Sequence, residues 1–379
     1  MERLQAFRPP FCPWPSCPEH SRPSRPFLFR RHGRFSTRRG RCVQRFVCLR
    51  CRRSFSSQSF STSYYLKRPH LLAPVAAALQ AGSAHRQIAR SLGCAPSTVT
   101  RLSARLGRHA MLLHSHALFH LDVSCSESFA LDHFEAFEFS QDLPFGVATA
   151  VGSRSWFLYA LEPAPHAPGG PLSAPRKERL LLRPQRARHG GYLGSTRRVF
   201  ERLLALPPAT HRVTILCDEH PAYLRAAALH PQRHRLHLRR FRNPPRRPKG
   251  SAPSPEGLAR NRALFPCDAL HQLLRHSVAH YRRETIAFPR RLNAAMERLY
   301  LTAVWRNFLK GRSERRPDRT TPAMRLGLTG EPWTWRRVLS RRLFPARERL
   351  SPLERLLYTR GWLTPALPTN QLHQLRHAY

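Results

Sequence analysis

Two kinds of residue in this 379-residue chain are spaced to do chemistry. The first is a set of carboxylates. Asp132 sits in the alternating run LDHFEAFEF. Asp218 ends the run Val213-Thr214-Ile215-Leu216 in the stretch TILCDEHPAY. Acids are scarce, 22 Asp and Glu against 65 Lys and Arg, so a carboxylate at the end of a buried strand needs a reason. One reason is local: Asp218 caps the helix that Tyr223, Leu224 and Ala226 to Ala228 suggest. The other is a metal site. Clustered carboxylates repel one another unless cations fill the space between them, and hard divalent ions take oxygen ligands. The second kind is four cysteines in two close pairs, CPWPSC (Cys12, Cys17) and CLRC (Cys48, Cys51). Each pair is a tight turn, and four thiolates satisfy a tetrahedral Zn²⁺. Cys42 is a candidate substitute ligand.

Composition bounds the partners. A net charge of +43 points to a polyanion, most simply nucleic acid. No stretch of about 18 consecutive apolar residues is present, so no membrane partner is expected. MERLQAFRPPFCPWP lacks a signal-type apolar core. Nine cysteines, with Cys94, Cys125, Cys217 and Cys267 scattered singly, argue for a reducing compartment, the cytoplasm, over a disulfide framework. The prolines cluster near both ends, at 163 to 184 and at 244 to 255, and mark loops.

The elements that must position these groups fall into four stretches. Residues 1–66 read as a zinc-ribbon domain, with RCVQRFVCLRC a strand entering a knuckle; so small a unit needs its metal to fold. Residues 67–112 read as an all-α helix-turn-helix. Ile88, Ala89 and Leu92 face one way on its first helix, and Val99, Leu102 and Leu106 on its second. Gly93 sits in the turn and Pro96 at the next helix start. Thr98, Thr100, Arg101 and Arg105 point outward and have the chemistry for phosphates and base edges. Residues 116–310 read as α/β: three strands, a helix, the strand HRVTILCDE, the helix PAYLRAAALH, a strand in RHRLHLRR, a flexible basic insertion at 240–263, and one continuous helix over 267–288. That order is the order of a ribonuclease H-like catalytic core, in which the strands carrying Asp132 and Asp218 are neighbours. Residues 311–379 are left as a basic C-terminal extension. AVWRNFLKGRSERR (303 to 316) suits a helix lying along DNA, and Arg176, Lys177, Arg186 and Arg188 suit a loop that tracks a phosphate backbone.

In this order, CPWPSC with CLRC, LDHFEAFEFSQ, CDEHPAY, RRETIAF and MERLYLTAVWRNFLKGRSERR followed by TPAMRLGLTG make the chain resemble the DDE-type insertion-sequence transposases with an N-terminal zinc ribbon and helix-turn-helix. The resemblance covers nearly the whole length. It implies cleavage at transposon ends and strand transfer, with Mg²⁺ or Mn²⁺ at the acids and Zn²⁺ at the cysteines. It implies double-stranded DNA as partner, homo-oligomers on paired ends, and a bacterial, nucleoid-associated cytoplasmic protein. Asp132 takes the first catalytic position and Asp218 the second. The third is open. The family places a Glu four or five residues before a Leu-Leu pair; here that slot holds Asp268, before Leu273-Leu274. Glu284 in RRETIAF is the alternative and Glu297 a weaker one. On one helix Asp268 and Glu284 lie about 24 Å apart, too far to share a site. Glu135, Glu138 and Glu219 are secondary, and His220 is a cap or packs, or touches a phosphate. An Asp where the family has Glu keeps a second possibility open, a catalytically decayed, sequence-specific DNA-binding regulator. An RNA-processing nuclease is a third, disfavoured by the duplex-binding helices.

Overall fold

The computed structural model describes residues 7–37, 42–121, 127–182, 189–245, 248, 250–314, 317–364 and 367. A helical turn α1 (Pro18–Ser21) precedes a three-stranded antiparallel sheet, β1 (Phe29–Ser36), β2 (Cys42–Cys48) and β3 (Ser54–Ser56). Its core is small: Phe27, Phe46 and Phe55 pack with Cys12, Cys17 and Cys48, apart from the main core. Three helices follow, α2 (Leu72–Gln80), α3 (His85–Ser91) and α4 (Pro96–Phe119). Gly93 takes φ +56° in the turn before α4, and Pro96 occupies its first turn, where a missing N–H costs nothing.

A five-stranded sheet then forms from β4 (Phe129–Phe137), β5 (Pro144–Gly152), β6 (Leu158–Pro165), β7 (Val213–Asp218) and β8 (Leu236–Phe241) in the order β6-β5-β4-β7-β8. The first three are antiparallel neighbours, and β4/β7 and β7/β8 are parallel. Residues of β5 and β6 are almost all buried, because helices cover both faces of the sheet there; β6 and β8 are its edges, and β8 is the one that meets solvent. Between β6 and β7 come α5 (Ala174–Leu181) and the amphipathic α6 (Gly191–Leu204), then α7 (Pro221–Ala228) follows β7. After β8 come α8 (Pro255–Ser277), α9 (Leu292–Val304), two single turns α10 (Pro322–Arg325) and α11 (Trp335–Val338), and α12 (Pro352–Tyr358). The chain is therefore mixed α/β, as its sequence predicts.

Four expectations need correction. The basic insertion 240–263 is shorter: β8 runs to Phe241 and α8 begins at Pro255, capped by the Ser254 hydroxyl on the Gly257 N–H. The helix predicted over 267–288 ends at Ser277, with no Gly or Pro to mark it. Its last turn is followed by Val278 in extended conformation, and residues 282–291 form a loop. AVWRNFLKGRSERR does not present its first half to a ligand. Val304, Arg306, Asn307 and Phe308 are buried; Arg306 donates to the Trp156 carbonyl, and Asn307 Oδ1 accepts from the Leu158 N–H. The C-terminal part is no extension up to Thr364, since Leu350, Leu353, Leu357, Tyr358 and Trp362 join the same core as the sheet.

That core also takes in α2, α3 and α4, so the helical unit is not a separate bead. The 24-residue α4 runs past the expected boundary at 112 and packs along α9. Gly107 allows this approach: a Cβ there would lie 2.4 Å from Glu297 Cβ and 2.5 Å from the Glu297 carbonyl oxygen. Gly to Ala inside a helix ordinarily stabilises by about 1 kcal/mol. Here the neighbour is backbone and cannot step aside, so Gly107→Ala is expected to destabilise by about 1–3 kcal/mol. Urea unfolding decides the sign.

Candidate functional site

Asp132 and Asp218 reach one end of the sheet by simple register. Phe129 and Ala130 of β4 lie level with Ile215 and Leu216 of the parallel β7. Two further residues along each strand bring both acids to the same rim. Asp218 does not cap α7. The cap is His220, whose Nδ1 accepts from the Ala222 N–H at 3.2 Å, while Asp218 Oδ1 accepts from the His220 N–H at 2.9 Å. Helix α8 crosses the sheet here. Cys267 is buried with Sγ 3.2 Å from the Ala130 carbonyl oxygen, which seats the helix, and Asp268 follows half-buried beside the acids of the strands.

The three carboxylates act on one another. Burial pushes the Asp132 carboxyl up to about 7, and the charges of Asp218 and Asp268 add to the shift; its own neighbour's N–H, His133 to Asp132 Oδ1 at 2.7 Å, pulls the other way. His271, one turn after Asp268, lies with Nδ1 3.7 Å from Asp132 Oδ2 and Nε2 2.9 Å from Thr149 Oγ1. Burial and the nearby Arg275, Arg260 and Arg306 lower its pKa to about 3, so it is a neutral imidazole and brings no charge. A buried carboxyl with two further acids near it, and no cationic imidazole beside it, is the electrostatic state that a bound cation relieves. The donor set is therefore suited to a hard divalent ion. It is not drawn tight: among the described residues the only three or more Cys, His, Asp or Glu whose donor atoms lie within 4.8 Å of one another are the four cysteines.

Sequence reasoning passed over the residues that hold this rim. Arg260 meets Asp268 with its guanidinium and donates from Nε to Asn243 Oδ1 at 3.0 Å; Asn243 Nδ2 donates to Asp218 Oδ2 at 3.0 Å. Both lie in the stretch read as a basic insertion. His271 had a legible signal, three residues after Asp268 and so on the same helical face. On the opposite side of β4, His133 bonds the Tyr223 hydroxyl and Ser195 Oγ, each at 3.0 Å.

The other candidate acids are exposed or engaged elsewhere. Glu284 is exposed in the loop after α8. Glu297 is buried and taken by Arg360, with two contacts of 2.8 Å, and by Arg108 at 3.5 Å. Glu138 is buried, accepting from the Leu292 N–H and Thr364 Oγ1, and ties β4 to α9. Glu135 engages His166 and Tyr192, and Glu219 is exposed. Arg176 pairs with Asp142 at 2.8 Å on α5, which also holds Lys177, whereas Arg186 and Arg188 lie outside the described residues.

The cysteine quartet is assembled. Cys12, Cys17 and Cys48 are buried and Cys51 half-buried. Cys12 Sγ is 3.7 Å from Cys51 Sγ, and Cys17 Sγ is 3.9 Å from Cys48 Sγ. These four can hold a metal ion; Cys42 is exposed at the start of β2 and does not join. On the helical unit, Thr100 and Arg101 are exposed and Thr98 half-buried. Thr100 Oγ1 bonds the Pro96 carbonyl and His85 Nδ1. Arg105 is not turned outward: Nη1 donates to the carbonyls of Thr62 (3.2 Å) and Tyr64 (2.6 Å), fastening α4 to the segment after β3. Arg68, Arg86 and Arg90 instead line a cleft of about 480 Å³ against the turn residues 93–96. Among the described residues no helix is long and apolar enough to cross a membrane. No protein-family model, curated protein or solved structure matches this chain.

Proposed function

We propose that the protein is a metal-dependent DNA-processing enzyme of the DDE transposase kind, cutting the ends of its own element and joining them to a target. The observation that carries this is the acid rim. Three carboxylates converge from two neighbouring parallel strands and the helix above them, and burial, with the charges of Asp218 and Asp268 added, raises Asp132 to about 7. The strand order β6-β5-β4-β7-β8, three antiparallel then two parallel, supports a ribonuclease H-like core. Asp132, Asp218 and Asp268 would hold Mg²⁺ or Mn²⁺, which when bound activate water or a 3′-hydroxyl and stabilise the leaving oxygen. Thr149 bonds both the Asp132 carbonyl and His271, and so orients the neutral imidazole against the first acid. Zn²⁺ in the cysteine quartet would shape the ribbon, whose strand β1 turns Arg30, Arg31 and Arg34 to solvent. The α3–turn–α4 hairpin, read as a helix-turn-helix, would meet duplex DNA with Thr98, Thr100, Arg101 and the Arg68, Arg86, Arg90 cleft.

The test is cleavage of labelled DNA bearing the gene's own flanking ends. Wild type with Mg²⁺ or Mn²⁺ should cut. Asp218→Asn should lose more than about a hundredfold in rate, since even outer partners of metal ligands cost that much. A second reading has its own observation: Asp268 is already paired with Arg260. Tight binding to the ends with no cutting by either protein would make the chain a DNA-binding regulator.

A further inference from the structure

Arg260 has no part in the chemistry above, yet it is the residue that joins the acids. It lies on α8 eight residues before Asp268, just over two helical turns away and about 80° around the axis. Its side chain must extend along the helix to reach Asp268, which it meets through Nη1 and, at 3.4 Å, Nη2. The Nε arm donates to Asn243 Oδ1 at 3.0 Å, and Asn243 passes the contact on to Asp218 Oδ2 at 3.0 Å. One guanidinium thus holds one acid directly and a second through an amide relay. An exposed helix pair gains little from such an arrangement, and nothing in an ordinary surface pair requires a relay that ends on a strand acid. Side-chain exposures of 16% for Arg260 and 29% for Asp268 put the pair at the mouth of the rim, sheltered from full screening but not sealed from solvent.

We propose that Arg260 is a built-in counter-ion of the acid rim, a positioning residue that a divalent cation must displace from Asp268 and Asn243. A fixed positive charge a few ångströms from a cation site opposes a second one. Once displaced, the guanidinium is left beside the site with its fork free, and that fork matches two oxygens of a phosphate. Arg260 therefore keeps the carboxylates ordered while the site is empty and meets the DNA strand once it is filled. This rests on the assignment of the acids as metal ligands.

The experiment is titration of the full chain, with zinc supplied to the cysteines, by Mn²⁺ at fixed ionic strength. The free ion is followed by its electron paramagnetic resonance signal. Wild type, Arg260→Gln, Arg260→Lys and Asp132→Asn are compared, with circular dichroism as the check on folding. Wild type should bind Mn²⁺ weakly, and Arg260→Gln should bind about tenfold tighter or more once the opposing charge is gone. Lys keeps the charge but cannot span Asn243 and Asp268 together, so it should fall between; if the Gln variant fails to fold, the Lys variant decides alone. Asp132→Asn should abolish saturable binding. Loss of binding in Asp132→Asn, with Arg260→Gln at or below wild-type affinity, would reduce Arg260 to a helix salt bridge and overturn the proposal. No Asp132-dependent binding in any variant would remove the metal assignment, and the counter-ion with it.

Discussion

A chelator that strips metal from the cysteine quartet should melt the ribbon and leave the five-stranded sheet folded. The unit around β1, β2 and β3 has little else to hold it. Its buried apolar cluster beside the cysteines is Phe27, Phe46 and Phe55, with Trp14, Phe29 and Phe60 packed at the edge and Val43 buried on β2. Cores of this size rarely fold alone. Burial pushes the Cys12 thiol well above its ordinary range and Cys17 up to about 11. Without a cation the Cys12 and Cys17 sulfurs stay protonated and contribute only weak contacts; a divalent ion would draw the protons off and become the centre of the fold. Structural zinc in units of this kind contributes on the order of 10–16 kcal/mol, the largest single term expected in this protein. The loss should be visible beyond the ribbon. Phe344 packs edge-on against Phe11 at 5.1 Å, Arg347 lies 4.0 Å over Phe11, and Arg342 donates to the Ser59 and Phe60 carbonyls. Hydrogen exchange should therefore lose protection over residues 43–48 and partly over 342–347, while β4, β5 and β7 keep theirs. The quartet should carry about one zinc per chain. A chain that holds no metal, or whose β2 amides ignore the chelator, would leave these cysteines as buried thiols. Cys17→Ser should act like the chelator at every pH, which separates metal loss from a general effect of the reagent.

What could be read from the sequence was what repeats or alternates. β4 alternates, β7 is a β-branched run that ends in acid, and α6 is amphipathic, so all three were legible. The cysteine pairs were legible because a metal needs four donors and tight turns deliver them two at a time. The rim was half legible. Asp132 and Asp218 follow from strand pairing; Asp268 follows from a helix start expected at 267, whereas α8 begins at Pro255 and Asp268 sits in its middle. Asn243 and Arg260 were lost because a Pro- and Arg-rich stretch carries no period, and the relay between them exists only once β8 and α8 are side by side. The end of α8 at Ser277 was missed for a related reason. Periodic residues such as Tyr281 continue beyond it, but Tyr281 reaches the core from a separate 3-10 turn, Ala279–Tyr281, with its hydroxyl bonded to the Ala295 carbonyl. Arg105 and Arg306 show why charge is a poor guide to a binding face: each spends its guanidinium on backbone carbonyls inside the fold. The C-terminal segment misled in the same way, since its arginines are conspicuous in sequence and its buried Leu353, Leu357 and Trp362 are widely spaced.

Acidification from pH 7 to 5 should remove most of the protein's stability before any surface carboxylate is protonated. Several histidines are enclosed with lowered pKa, His20, His109 and His280 among them, and four others set the scale. Burial is the largest cause in each, lowering His85, His133 and His271 to about 3 and His114 to about 4. An unfolded chain has no such burial, and its histidines titrate near 6.5. Between 6.5 and 4 the unfolded state therefore binds more protons than the folded one, and stability falls as pH falls. At pH 5 each ring contributes a loss of about 2 kcal/mol by this linkage. Asp132 works the other way. Its folded pKa of about 7 lies above the unfolded value, so ionisation on the way up to pH 7 is a strain that acid relieves, returning about 2 kcal/mol between pH 7 and 5. For these four rings and Asp132 the balance is a loss of about 6 kcal/mol, comparable with the whole stability of an ordinary domain. Urea midpoints taken at half-unit steps should fall steeply below pH 6.5, with uptake of several protons on unfolding. His114→Gln keeps a donor for the Leu158 carbonyl and removes one titrating ring, so its curve should be shallower by about one proton. A flat profile from pH 7 to 5 would mean that these rings are solvated in the folded protein. Mg²⁺ adds a sharper arm. An ion on the acid rim holds Asp132 ionised, so the relief disappears and the acid loss steepens. Identical profiles with and without Mg²⁺ would instead place Asp132 outside any cation site.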